Sequence, residues 1–224
     1  MQELFPSETR KLEGQPSIDT SLADPWLELR EYFIPFTEQQ ELEALTNEKR
    51  ALAIASKLHR RLYPFRAFIA NAATRFNIPP EIIGAVIMVE SSGNPRAAAK
   101  TSSAKGLMQT IDSTFAMARS ALGRAGIQVA DSPFNIQAAI MTGSWYLSRM
   151  YDQAVRDGRL KKGERSSIVA WKKPAEYYYA GPRHGKKMDD VVITYAGGRR
   201  VVIDKPAYSQ KVLRCATIMA GGRE

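Results

Sequence analysis

Glu90 is the residue from which chemistry can be argued first. It closes a run, Ile82 to Val89, in which every position is apolar or small, and Ser91-Ser92-Gly93-Asn94-Pro95 follows at once. A segment apolar all round predicts a buried helix, and the Gly and Pro behind it predict its stop. Burial disfavours the charged form of a carboxyl at that end, and the negative end of the helix dipole acts in the same direction. A carboxyl kept protonated near neutral pH is what a general acid requires. Taken alone, these residues also fit a solvated glutamate at a frayed helix end.

The elements that would hold Glu90 follow from punctuation and periodicity. Asn77-Ile78-Pro79-Pro80-Glu81 is a start signal for its helix, with Pro tolerated in the first turn. Upstream, residues 1–25 suggest an extended or disordered arm. Helices are expected over Trp26–Phe33 and Glu38–Leu62, with a break at Pro64 and an amphipathic helix over Phe65–Phe76. Downstream, a polar loop Arg96–Lys105 leads to Asp112-Ser113-Thr114, an N-cap cluster for a helix to Leu122. Helices over Pro133–Arg156 and Ser166–Tyr179 are separated by a basic linker, Arg159–Arg165. Val191–Tyr195 and Arg200–Asp204 flank Ala196-Gly197-Gly198 as a β-hairpin, and Ala207–Ala220 forms a final helix.

The ordered set Glu90-Ser91-Ser92-Gly93-Asn94-Pro95, Ala97, Ser103-Ala104-Lys105-Gly106-Leu107-Met108-Gln109 and Thr114 resembles the soluble lytic transglycosylase (SLT) family of the lysozyme superfamily. There, E-S-x-x-N-P-x-A leads through a short loop to G-A-x-G-L-M-Q and a following T. Asn135-Ile136, Gly143 and Tyr146-Leu147 resemble the family's N-I-x-x-G-x-x-Y-L helix. Tyr178-Tyr179-Ala180-Gly181-Pro182 resembles A-Y-N-A-G-P, and Asp204 and Tyr208 resemble the Glu and Tyr of E-T-R-x-Y-V. The likeness runs from Phe65 to Leu213. The chain departs from the pattern in a loop longer by one residue between Glu90 and Gly106, in Ser103 for Gly (a variant resembling phage-type members), in Tyr179 for Asn, and in Asp204 for Glu.

The resemblance implies a mainly α, lysozyme-like helical catalytic domain over residues 63–224 with a small β-hairpin, preceded by a helical N-terminal extension over residues 1–62. It also implies a lytic transglycosylase. Glu90 would protonate the glycosidic oxygen between N-acetylmuramic acid and N-acetylglucosamine and then, as carboxylate, take the proton of the muramyl C6 hydroxyl. That hydroxyl closes a 1,6-anhydro ring, so no water is consumed and no cofactor or metal is needed. Ordinary glycosidases use two carboxylates, whereas between Ile82 and Pro174 the only acids are Glu90, Asp112, Asp131, Asp152, Asp157 and Glu164. In this scheme Ser91 orients Glu90, Gly106 lets the backbone approach the sugar, Leu107 and Met108 wall a subsite, and Gln109 suits an acetamido group. Tyr178 offers a hydroxyl, and Tyr179, Asp204 and Tyr208 are further substrate contacts; Tyr177 and Tyr179 also fit simple packing.

Composition bounds the alternatives. Of 224 residues, 44% are hydrophobic and 25% charged, as in an ordinary globular protein. Residues 1–50 hold 11 acids and 5 bases, a net of −6, whereas the remainder holds 27 bases and 12 acids, a net of +15. A basic body attracts polyanions such as wall polymer, lipid or nucleic acid, but no nucleic-acid module is recognisable. The single cysteine, Cys215, excludes an internal disulfide and fits core packing, and with only His59 and His184 no metal spacing arises. No transmembrane run or secretory signal is visible in the chain, so it is expected to act in the cell envelope as a virion-associated, unconventionally exported or trimmed protein. Residues 1–60 are then a candidate docking segment for a virion or secretion apparatus. The competing readings are a muramidase using Asp112 or Asp204 as second carboxylate, and a non-catalytic wall-binding component.

Overall fold

The computed structural model describes residues 58–187, 191–194 and 200–221. The expected helices over Trp26–Phe33 and most of Glu38–Leu62 lie outside the described residues. Leu58 and Leu62 are described, and both are buried in the same core as the rest of the chain. A 3-10 helix, Arg60–Phe65, runs through Pro64 rather than stopping there.

Among the described residues six α-helices and one hairpin follow: α1 Arg66–Phe76, α2 Pro80–Ser91, α3 Asp112–Arg124, α4 Ile136–Arg156, α5 Lys172–Gly185 and α6 Lys205–Met219, with β1 Val191–Thr194 and β2 Arg200–Ile203 between α5 and α6. The fold is mainly helical, as the sequence predicts. The strands pair antiparallel, Val192 opposite Val202. Asp204 is not the last residue of a strand but the N-cap of α6, its side chain accepting from the Ala207 N–H at 2.9 Å. No helix among the described residues is long and apolar enough to cross a membrane.

The centre is α2. Asn77 turns the chain in the left-handed region, Pro80 opens the helix, and Ile82 through Ile87 are buried on every side. It packs against α1 and α6, while α4 packs on α1, α3 and α5, and α5 on α6. Each fully buried isoleucine contributes about 1.5–3 kcal/mol relative to exposure, so this helix is a rigid mount. Ser92, at φ 55°, stops α2 by returning its N–H to the Met88 carbonyl.

Three local expectations are corrected. Asp112 does not cap α3; it is the first helical residue, and its carboxylate takes an ion pair from Lys105 Nζ at 2.9 Å. The Lys105–Thr110 bridge delivers the chain into the helix at Ile111, which leaves Asp112 in the first turn, where a negative charge is favoured by the dipole. The helix expected at Ser166–Tyr179 begins instead as a 3-10 turn, Ile168–Trp171, and then runs to Gly185 with a break at Gly181 (φ 75°, ψ 160°) before Pro182. Arg165 is no solvated linker residue. Its guanidinium donates to the Phe76 carbonyl at 3.1 Å and to Asp152 at 2.6 Å, and it lies 4.3 Å over the Tyr151 ring.

Candidate active site

Glu90 occupies the last turn of α2, half-buried. Its neighbour across the fold is Tyr208 on α6, 118 positions away, whose hydroxyl donates to Glu90 Oε1 at 2.6 Å. Burial pushes the Glu90 carboxyl up from 4.5 to about 7, and the Tyr208 hydrogen bond, which favours the charged form, only partly opposes this. Tyr208 is itself buried, and burial together with the Glu90 charge raises its hydroxyl well above 10. It therefore stays a donor at any pH at which the fold is useful.

Further tyrosines surround this pair. Tyr178 on α5 is buried, and Glu90 acts on it after burial as a second cause raising its hydroxyl. That hydroxyl donates to the Met108 carbonyl at 2.7 Å, so it is tied to the turn after the loop rather than to Glu90. The Tyr146 ring of α4 leans on Tyr178 at 5.4 Å. Tyr179 stacks on Tyr208 with centroids 4.5 Å apart and planes 7° from parallel, and remains 45% exposed. Tyr177 faces away, donating to Asp157 at 2.9 Å.

The remaining candidates support the wall more than they line it. Ser91 does not bond to Glu90. Its Oγ donates to the Leu107 carbonyl at 2.8 Å, lies 3.0 Å from that of Ile87, and accepts from the Gly93 N–H at 3.3 Å. The hydroxyl thus pins the end of α2 to the 106–110 turn. Gly106 (φ 76°) has no room for a side chain, because a Cβ would lie 1.9 Å from the Pro133 carbonyl oxygen. The close approach there is to the chain's own backbone. Leu107 and Met108 are core residues. Met108 rests on bare backbone of α4 at Gly143, where a Cβ would come within 2.5 Å of its sulfur, so it is not an exposed subsite wall. Gln109 spends both amide protons inside the turn, on the Ala97 carbonyl at 3.0 Å and the Gly106 carbonyl at 2.9 Å, so only its Oε1 remains to accept. Asp204 is exposed at the start of α6 and close enough to Tyr179 to contribute to raising its hydroxyl, behind burial and Glu90.

Other acids near the sequence motif are committed elsewhere: Asp131 to Arg119 at 2.6 Å, Asp152 to Arg165, and Asp157 to Tyr177 and Gln153. A cavity of about 410 Å³ lies at the far end of α2, lined by Asn77, Pro79, Glu81 and Arg165 among others. At 1.5 Å per residue, it is a helix length from Glu90. One supporting residue gave no signal in the sequence. Lys205 is buried at the base of α6, and its Nζ donates to the carbonyls of His184 at 3.2 Å and Lys187 at 2.7 Å, joining α6 to the end of α5.

No curated protein matches the chain. Residues 67–212 match the family model described as the transglycosylase SLT domain, a stretch that contains Glu90, the 106–110 turn, the α5 tyrosines and Tyr208. The chain belongs to the transglycosylase SLT domain family, whose activity is lytic degradation of cell-wall peptidoglycan.

Proposed function

We propose that the protein is a lytic transglycosylase that cleaves the β-1,4 bond between N-acetylmuramic acid and N-acetylglucosamine and leaves 1,6-anhydromuramic ends, with Glu90 as its single acid and base. The observation that carries this reading is the half-buried Glu90 carboxyl, raised to about 7 and held by the Tyr208 hydroxyl. Protonated, Glu90 donates to the glycosidic oxygen as the bond to C1 breaks, and the substrate's N-acetyl group stabilises the cationic centre. Now a carboxylate, and favoured in that form by Tyr208, it takes the proton of the muramyl C6 hydroxyl while that oxygen bonds to C1. The proton count closes on Glu90, and no water enters. A group near 7 is suited to both halves, because neither direction of transfer is strongly uphill.

A second carboxylate has little support. Asp112 is paired with Lys105, and Asp204 is engaged as a helix cap. Residues 1–60, which include the acidic segment with net charge −6, fall outside the family match; we read them as a docking segment toward a larger assembly such as a virion or secretion apparatus.

The test is mass spectrometry of fragments released from purified sacculi by wild type and by Glu90→Gln. Anhydromuropeptides from wild type alone are expected. Reducing muramic ends would instead make the protein a hydrolase and turn attention to Asp204. Sacculus binding with no release by either protein would favour a wall-binding component.

A further inference from the structure

Three tyrosines from α5 and α6 lie in the field of Glu90, a fourth from α4 stands behind one of them, and three of the four are spent. Tyr208 holds the carboxyl, Tyr178 holds the Met108 carbonyl, and Tyr146 backs Tyr178. Tyr179 donates no bond that fixes the acid, yet its ring lies parallel on Tyr208 and is 45% exposed. Glu90 and Asp204 both act on its hydroxyl, so the ring lies in the field of the acid. An aromatic ring left open beside a general acid, with its inner face covered by another ring, offers one flat apolar surface and a polar rim. Pyranose rings present a matching surface, a face of C–H groups flanked by hydroxyls.

We propose that Tyr179 is a sugar-stacking platform that seats one saccharide ring against its outer face and thereby sets which glycosidic oxygen reaches Glu90. This rests on the reading of Glu90 as the acid that acts on a glycan. Tyr208 behind Tyr179 keeps the platform flat and couples it to the carboxyl, so that occupancy of the platform and alignment of the acid arise from one stack of two rings. The sequence motif of the family carries Asn here; this chain presents an aromatic face in place of a small amide side chain. The chain should therefore recognise the shape of the sugar ring at this point more than any one substituent on it.

The experiment compares Tyr179→Ala, Tyr179→Phe and Tyr179→Trp in the full chain. Turnover on sacculus-derived glycan is read as KM and kcat, and binding of a β-1,4-linked N-acetylglucosamine oligomer is measured in a Glu90→Gln background. Stacking over roughly 50 Å² of ring at ~25 cal/mol per Å² corresponds to about an eightfold change in affinity. Tyr179→Ala should raise KM and weaken oligomer binding by about that factor, while Phe and Trp should restore both to within about twofold, since they keep the face. The Glu90 limb of the pH profile should stay in place in the Phe variant. Unchanged oligomer binding in Tyr179→Ala, or failure of Phe and Trp to restore it, would overturn the proposal and leave Tyr179 as a brace for Tyr208. If wild type cleaves no glycan at all, it is the reading of Glu90 that fails; oligomer binding still judges the platform separately.

Discussion

Tyr208→Phe isolates the one hydrogen bond that joins α6 to the acid. The hydroxyl donates to Glu90 Oε1 at 2.6 Å and, among the described residues, is what lowers the Glu90 carboxyl against burial. Phenylalanine keeps the ring that stacks on Tyr179 and fills the core, so the perturbation is the loss of one donor. A hydrogen bond to a charged group contributes about 1.5–3 kcal/mol; because Glu90 is only half-buried, the low end applies, and ~1.4 kcal/mol is about one pH unit. Without the donor, burial acts unopposed and the carboxyl moves further up from about 7. The alkaline limb of kcat/KM, where the acid loses its proton, should therefore shift upward by about one unit. At the same time kcat should fall roughly tenfold or more, because the carboxylate that takes the C6 proton in the proposed mechanism is no longer held in one orientation. The assay is the initial rate of fragment release from sacculi across the pH range, with thermal unfolding as the control for the fold. A limb that stays in place or moves down, with kcat unchanged, would show that Tyr208 neither tunes nor orients Glu90.

Three further perturbations follow from the same geometry. Between 4.5 and about 7 the folded chain keeps a proton on Glu90 that the unfolded chain has released, so wild-type stability should fall as pH rises through this window, by at most about 3 kcal/mol; Glu90→Gln lacks that slope and should overtake wild type near its upper end, whereas a pH-independent gap in urea midpoints would contradict the burial cost. Gly106→Ala should cost more than ~3 kcal/mol, from a Cβ 1.9 Å from the Pro133 oxygen and a φ of 76°; a melting temperature close to wild type would refute this. Arg165→Met removes the partner of the part-exposed Asp152 and the donor to the Phe76 carbonyl and should lower stability by about 1–2 kcal/mol, most of it from the lost hydrogen bonds rather than from the solvent-screened ion pair, with Lys restoring only part of it because it lacks the forked donors; full restoration by Lys in urea unfolding would mean that charge alone matters.

Much of the architecture was written in local patterns. The unbroken apolar run Ile82–Val89 announced a helix buried on all sides, because no period leaves a polar face to water. Asn77 and Pro80 marked its start, and Gly93 and Pro95 its end, although the residue that takes the left-handed conformation at the stop is Ser92. The helices at 112–124, 136–156 and 205–219 lie within a few residues of their expected limits. Errors arose where a tertiary contact outcompeted a local preference. Asp112 went to Lys105 instead of a cap, and Arg165, at the end of an otherwise exposed linker, became a half-buried joint because Phe76, Ser148 and Asp152 converge on its guanidinium.

The site divides along the same line. A carboxyl at the end of an apolar helix is a one-dimensional fact, and elementary electrostatics gives the direction of its shift. The residues around it are not readable in that way. Ser91, Gly106, Met108 and Gln109 belong to one ordered motif that invites the idea of direct contacts, yet Ser91 fastens α2 to the 106–110 turn, Gln109 ties that turn to Ala97, and Gly106 and Met108 let it pack closely on Pro133 and α4. The closest partner of the acid comes instead from Tyr208, on a helix 118 residues on. A sequence determines which groups can ionise and which segments must be buried, because those depend on residue type and near neighbours. Which hydroxyl meets which carboxyl depends on how α2, α5 and α6 pack, and only the tertiary structure decides that.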